Sequence, residues 1–165
     1  MAPRIEEHDV KLAGFQAVVR LDSEGEPGNV VEVLGGLRER LSEKLADIPD
    51  RSPSCRLVGY WRFVAHVTRV YLLGVEVETL ERCEWDPGAG FVSWNLGPCS
   101  FAVFEREGVG PTPMYYRQIP KGYGFDTRLL GDFEVCSYKE RAPDGGLPSF
   151  PEVANEVWIP VTKDE

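Results

Sequence analysis

Along this chain, β-branched and aromatic residues gather in runs, and clusters of glycine, proline and acidic residues separate the runs. The run from Val10 to Leu21 is rich in β-formers and ends at Asp22-Ser23-Glu24-Gly25, which predicts a strand and a turn. Asn29 stands where an N-cap belongs, and Val30, Leu34, Leu37, Leu41, Leu45 and Ile48 recur at steps of four and three. That spacing lines one stripe of an amphipathic helix, with Glu32, Glu39, Arg40, Glu43 and Lys44 toward water and Pro49 at its end. Residues 56–63 and 69–78 predict two further strands joined as a hairpin. The first half thus reads β-α-β-β.

A polar stretch, 79–90, links it to the run 91–98, which leads into the second half. There, residues 100–107 predict a strand and Gly108 to Pro111 a turn. Thr112-Pro113 opens a helix that Pro120 limits to about two turns. Gly122 and Gly124 read as turn residues, residues 131–138 and 156–161 as two more strands, and Ala142 to Gly146 as a loop. The same element order has now occurred twice. The reading is an α+β fold, a tandem βαββ repeat of antiparallel strands, with halves at about 10–78 and 100–163 and a linker at 79–99. The repeat rests on element order, because few residues match between the halves.

The run Gly131-Asp132-Phe133-Glu134-Val135-Cys136-Ser137-Tyr138 carries an acid in its middle. On a strand, Glu134, Cys136 and Tyr138 share one face and Phe133, Val135 and Ser137 the other. Glu134 is then either a glutamate on a solvated face or a carboxylate set among aromatic rings. In the second case it is stable only when hydrogen-bonded, paired with a cation, or protonated. Glu76 is a second carboxylate in the first half, and its parity with Glu78 points to a solvated face. Trp61, Tyr71, Trp94, Phe104, Tyr123 and Trp158 are the aromatic candidates for a binding wall, and each also reads as core packing.

The chain has 165 residues, enough for one domain or two fused small halves. Its formal charge of −9, with scattered Lys and Arg, is the wrong sign for holding phosphates, so no direct contact with nucleic acid is expected. A cationic small molecule or a basic protein suits it better. No apolar run approaches a membrane span and the start is too polar for a signal peptide, so the expected location is cytoplasmic. Cys55, Cys83, Cys99 and Cys136 form no CxxC pair, and His8 and His66 stand alone. The cysteines read as buried, reduced, small apolar residues, and no metal or other cofactor is expected.

Four segments, in order, resemble the GyrI-like proteins, also called bacterial transcription activator effector-binding domains. They are residues 71–77 (YLLGVEV), 101–108 (FAVFEREG), Ile119-Pro120-Lys121-Gly122-Tyr123 leading to Asp132-Phe133-Glu134-Val135, and 156–161 (EVWIPV). The likeness spans about Val10 to Lys163. It departs from the family at Gln118-Ile119-Pro120, where Trp-Leu-Pro is common, and in a short second helix. The resemblance implies two βαββ halves related by a pseudo-twofold axis, with a groove between them. It also implies an aromatic pocket for amphipathic or cationic molecules, in which a glutamate at the place of Glu134 meets the positive charge. Other members bind and inhibit DNA gyrase, and some small ones are similar to hydrolases that open the cyclopropane ring of DNA-alkylating compounds. In that last case Glu134 would be the catalytic acid or base, with Tyr71 or Tyr123 placing the substrate. Only about nine residues precede the first predicted strand, too few for a helix-turn-helix, so no DNA-reading module is expected.

Overall fold

The structure, a computed structural model, describes residues 3–20, 30–65, 68–106, 113–129, 131–139, 150 and 154–164. Its elements are β1 (Arg4–Arg20), α1 (Val30–Lys44), β2 (Arg56–Ala65), β3 (Thr68–Glu76), β4 (Phe91–Glu105), α2 (Pro113–Tyr116), β5 (Tyr123–Phe125), β6 (Gly131–Ser137) and β7 (Glu156–Lys163). The turns expected at Asp22–Gly25 and Gly108–Pro111, the Asn29 cap, His66 and the loop 142–146 lie outside the described residues.

All strand pairs are antiparallel. Within the first half β3 lies between β1 and β2, and within the second β7 lies between β4 and β6. The halves join through β1 with β4 and through β2 with β6. Exchanging β1 with β4, β2 with β6 and β3 with β7 maps this pairing list onto itself, which is the pseudo-twofold relation. It also closes six strands into a ring, β4-β1-β3-β2-β6-β7, back to β4, with β5 added beside β7.

Strand alternation sorts the side chains of this ring into an inside and an outside. Val10, Leu12, Val58, Tyr60, Leu72, Phe101, Val103, Phe133, Val135 and Trp158, drawn from all six strands, form the inner cluster. Phe133 is fully buried, stacked on Tyr60 at 4.4 Å and edge-on to Phe101 at 5.3 Å. Removing a ring so placed costs about 3–5 kcal/mol. Outside, α1 and the 3-10 turn that continues it lay the expected stripe of Leu37, Leu41, Leu45 and Ile48 on Ala13, Phe15, Leu57, Tyr71, Leu73 and Val75. Arg51 donates to the carbonyls of Leu45 and Ile48 and so satisfies the end of that helix before Pro49. The second half repeats the arrangement in miniature, with Tyr115 of α2 packed on Phe104, Val157 and Ile159.

Several boundaries differ from those the sequence suggests. β1 begins at Arg4, because Arg4 to Val10 pair with Val103 to Gly97 despite the charges at Glu6, Glu7 and Asp9; cross-strand pairing overrides local propensity. The stretch 91–99, expected as linker, is the first part of β4. The ladder slips beside Gly97, whose φ of +67° accommodates a bulge. α2 is a single turn, shorter than the two expected. Gly124 belongs to β5 while Gly122, at φ +91°, does turn the chain.

Candidate functional site

The outer face of β6 carries Asp132, Glu134 and Cys136, since Phe133 and Val135 fill the inside of the ring. Register fixes what each acid faces. Glu134 lies opposite Gly59 of β2, and Asp132 lies opposite Trp61. Trp61 in turn pairs with Tyr71 of β3, and their rings meet at 4.3 Å. Gly59 has no side chain to hold the Tyr71 ring off the sheet. A Cβ built there would stand 2.9 Å from Tyr71 Cζ and collide with its hydroxyl. Glycine thus lets the phenol lie across β2 toward Glu134.

The Trp61–Tyr71 pair stands between two cavities on this face. The first, about 50 Å³, lies beneath α1 and is lined by Leu34, Arg38, Gly59, Tyr71, Glu134 and Cys136 among others. It has room for a few waters. Its acid is engaged, with Arg106 Nη1 at 3.4 Å from Glu134 Oε1; the side chains are 14% and 26% exposed respectively. Burial pushes the Tyr71 phenol far above its usual range and the neighbouring Glu134 adds to the effect. Burial likewise raises Cys136 to about 11, again with Glu134 contributing.

The second cavity, about 300 Å³, is closed by different elements. Trp61, Phe63, Arg69, Tyr116, Phe125 and Asp132 line it, with Ile159 and Pro160 of β7 behind them. Phe63 and Phe125, 46% and 53% exposed, put apolar surface together at the mouth of one cavity. Asp132 accepts a hydrogen bond from the Tyr116 hydroxyl at 3.0 Å. Burial pushes the Asp132 carboxyl up to about 6, and the charge of Glu134 adds to this. The Tyr116 hydrogen bond, Arg69 and Arg106 work in the opposite direction. Burial and the facing Asp132 drive the Tyr116 phenol far up in turn.

Of the side chains singled out from the sequence, Glu134, Tyr71 and Trp61 come together on this face. Trp94, Phe104 and Tyr123 line neither cavity. Trp94 packs at the inner cluster, edge-on to Tyr60 at 5.5 Å, and donates from Nε1 to Gln16. Phe104 and Tyr123 belong to the α2 side of the core, and Trp158 is buried inside the ring beneath His8, 4.3 Å away. Glu76 is paired with Arg56 at 3.5 Å and has a side chain only 12% exposed, so its face is not the solvated one expected. Sequence reasoning passed over Asp132, Tyr116, Arg106 and Gly59. Asp132 could have been found, since it shares the parity of Glu134. Arg106 and Tyr116 reach the site only through the fold. The four cysteines are free, and among the described residues no group of three His, Cys, Asp or Glu is arranged to hold a metal ion. None of the described helices is long and apolar enough to cross a membrane.

No protein-family model and no curated protein matches the sequence. Solved structures do match in fold. SAV2435 bound to tetraphenylphosphonium superposes with a TM-score of 0.59 at 14% identity, over 98% of this chain and 94% of that one. A protein from Staphylococcus aureus MU50 assigned to bacterial transcription regulation gives 0.57 at 13% identity, over 98% and 99% of the two chains. The EcmrR C-terminal domain gives 0.56 at 10% identity, over 97% and 96%. With its paired βαββ halves and a groove across β2, β3 and β6, the chain has the fold of the GyrI-like effector-binding domains.

Proposed function

We propose that this protein binds small amphipathic molecules, preferentially aromatic cations, in the groove over β2, β3 and β6. The observation that carries the reading is the pair of carboxylates, Asp132 and Glu134, on one strand face. Glu134 lines the smaller cavity with Tyr71, and Asp132 lines the larger one with Trp61, Phe63, Tyr116 and Phe125. Ring faces attract cations, and carboxylates withdrawn from water add charge pairing. The overall acidity of the chain draws such ligands in, and SAV2435, of the same fold, is seen with a lipophilic cation.

Glu134 serves this site as the inner negative charge, paired with Arg106 and beside Tyr71. Binding of tetraphenylphosphonium, followed by calorimetry and by tryptophan fluorescence from Trp61, should saturate at one molecule per chain. Replacing the charge in Glu134→Gln should weaken binding about threefold to tenfold. Absence of saturable binding by the wild-type protein would remove the proposal. An unchanged affinity in the Gln variant would remove Glu134 from it. A hydrolytic role for Glu134 has less support, because the cavity beside it is about 50 Å³, too small for an organic substrate as it stands.

A further inference from the structure

The carboxylate that meets the ligand need not be the one that leads by family likeness. Glu134 lies under α1, beside a cavity of about 50 Å³ and already against Arg106. Asp132 lies in the cavity of about 300 Å³, the larger of the two on this face and large enough for an organic molecule. Around it, Trp61 and Phe63 come from β2, Tyr116 from α2 and Phe125 from β5, so three separate elements bring four rings to one acid. Two of those rings, Phe63 and Phe125, are exposed at the cavity rim.

We propose that Asp132, oriented by the Tyr116 hydroxyl, is the ligand-recognising acid of this cavity, and that it takes an aromatic-bodied cation in competition with a proton. This rests on the small-molecule reading above and narrows it to one residue and one ligand charge. Tyr116 Oη donates to Asp132 Oδ2 at 3.0 Å, which fixes the carboxyl orientation and leaves its other oxygen for a second partner. The charges facing the group come from every neighbouring element. Arg69 of β3 lines the cavity with its guanidinium 4.6 Å from the centre of the Phe63 ring, and Arg106 follows β4 and pairs with Glu134. Glu134 is on the same strand, and Asp126, at the other wall, is held by Arg128 at 2.6 Å. Both other acids near the cavity therefore have a cation of their own, and Asp132 has a phenol. An incoming cation finds in Asp132 the acid whose tie is a neutral hydrogen bond.

An ionised Asp132 rewards a positive ligand, and a protonated one does not. The raised pKa of Asp132, about 6, sets where the exchange occurs. Tetraphenylphosphonium is a fixed cation without ionisable groups, so any pH dependence of its binding belongs to the protein. Calorimetric titration from pH 5 to pH 8 is expected to show affinity falling about tenfold from the upper to the lower end, with the midpoint near 6. Asp132→Asn, which keeps an acceptor for Tyr116, should bind about tenfold more weakly at pH 8 and lose the pH dependence. Glu134→Gln should retain it. Wild-type binding that is flat with pH, or a dependence that survives in Asp132→Asn, would overturn the assignment of Asp132 while leaving the groove a binding site. No binding by the wild-type protein at any pH would overturn the small-molecule reading itself, and the role of Asp132 with it.

Discussion

Asp132 and Glu134 stand two residues apart on one face of one strand, yet their surroundings differ in nearly every respect. Opposite Glu134 the neighbouring strand has Gly59, and the space so released is filled by the Tyr71 ring; the cavity left is small and a guanidinium closes on the acid. Opposite Asp132 the neighbouring strand has Trp61, whose indole lines a larger space together with residues of α2, β5 and β7. Neither acid is special by type. What separates them is the cross-strand partner: glycine leaves room for the Tyr71 ring beside Glu134, and tryptophan puts its own ring at the wall of the Asp132 cavity. A strand pair set in register thus places one of two neighbouring carboxylates in a half-buried ion pair with Arg106 and the other in an open cavity.

The largest effect is expected at Asp132. Its carboxyl titrates higher in the folded chain, about 6, than the ordinary 3.8. Between those values the folded state holds a proton that the unfolded state has lost, so stability falls as pH rises from about 4 to about 6. Above that range the buried charge costs up to about 3 kcal/mol. Asp132→Asn should therefore melt higher than wild type at pH 7.5 and lose that advantage below about pH 4. A variant no more stable at pH 7.5 than at pH 4, relative to wild type, would show that Asp132 is solvated as Glu134's neighbour rather than withdrawn from water.

At the other compartment the test is Gly59→Ala. The added methyl meets a phenol that is 5% exposed and braced by Trp61, so the ring cannot slide aside freely. Overpacking of this kind costs about 2 kcal/mol, read as a lower urea midpoint with an unchanged slope. If the substitution costs nothing, Tyr71 does not depend on the glycine and the contrast drawn at the cross-strand partners loses one of its two terms.

Much of this was written in alternation and spacing. The stripe from Leu37 to Ile48 marked α1, and the parity of residues 131–138 placed Phe133 and Val135 opposite Glu134 and Cys136, as the ring's inside and outside require. What could not be read is which outside positions are covered. Trp61 and Tyr71 fell on faces that could each have been core, and only the β2–β3 register shows them stacked on one face. Trp94, Phe104 and Tyr123 carry the same chemistry as Trp61, but their strands turn them toward the inner cluster or α2. Arg106 was invisible as a partner because it follows β4, and β4 comes near β6 only when β7 pairs with both. Long-range closure of the ring, not local propensity, assembled the site.

The smallest expected effect tests the finest part of the contrast, the neutral tie on Asp132. Tyr116→Phe deletes the donor at 3.0 Å and leaves the ring that packs edge-on against Phe125 at 5.0 Å, so the cavity wall stays. The hydrogen bond favours the ionised carboxylate, and its loss should move the Asp132 titration upward from about 6. A contact of this strength is worth about 1 kcal/mol once water competes for the vacated position, or somewhat under one pH unit. The midpoint for tetraphenylphosphonium binding should rise by that amount, with affinity at pH 8 little changed. A midpoint that stays put would mean that water serves Asp132 as well as the phenol does. A midpoint that falls would mean that Tyr116 favours the protonated acid, and the order of charge and proton in this cavity would have to be reversed.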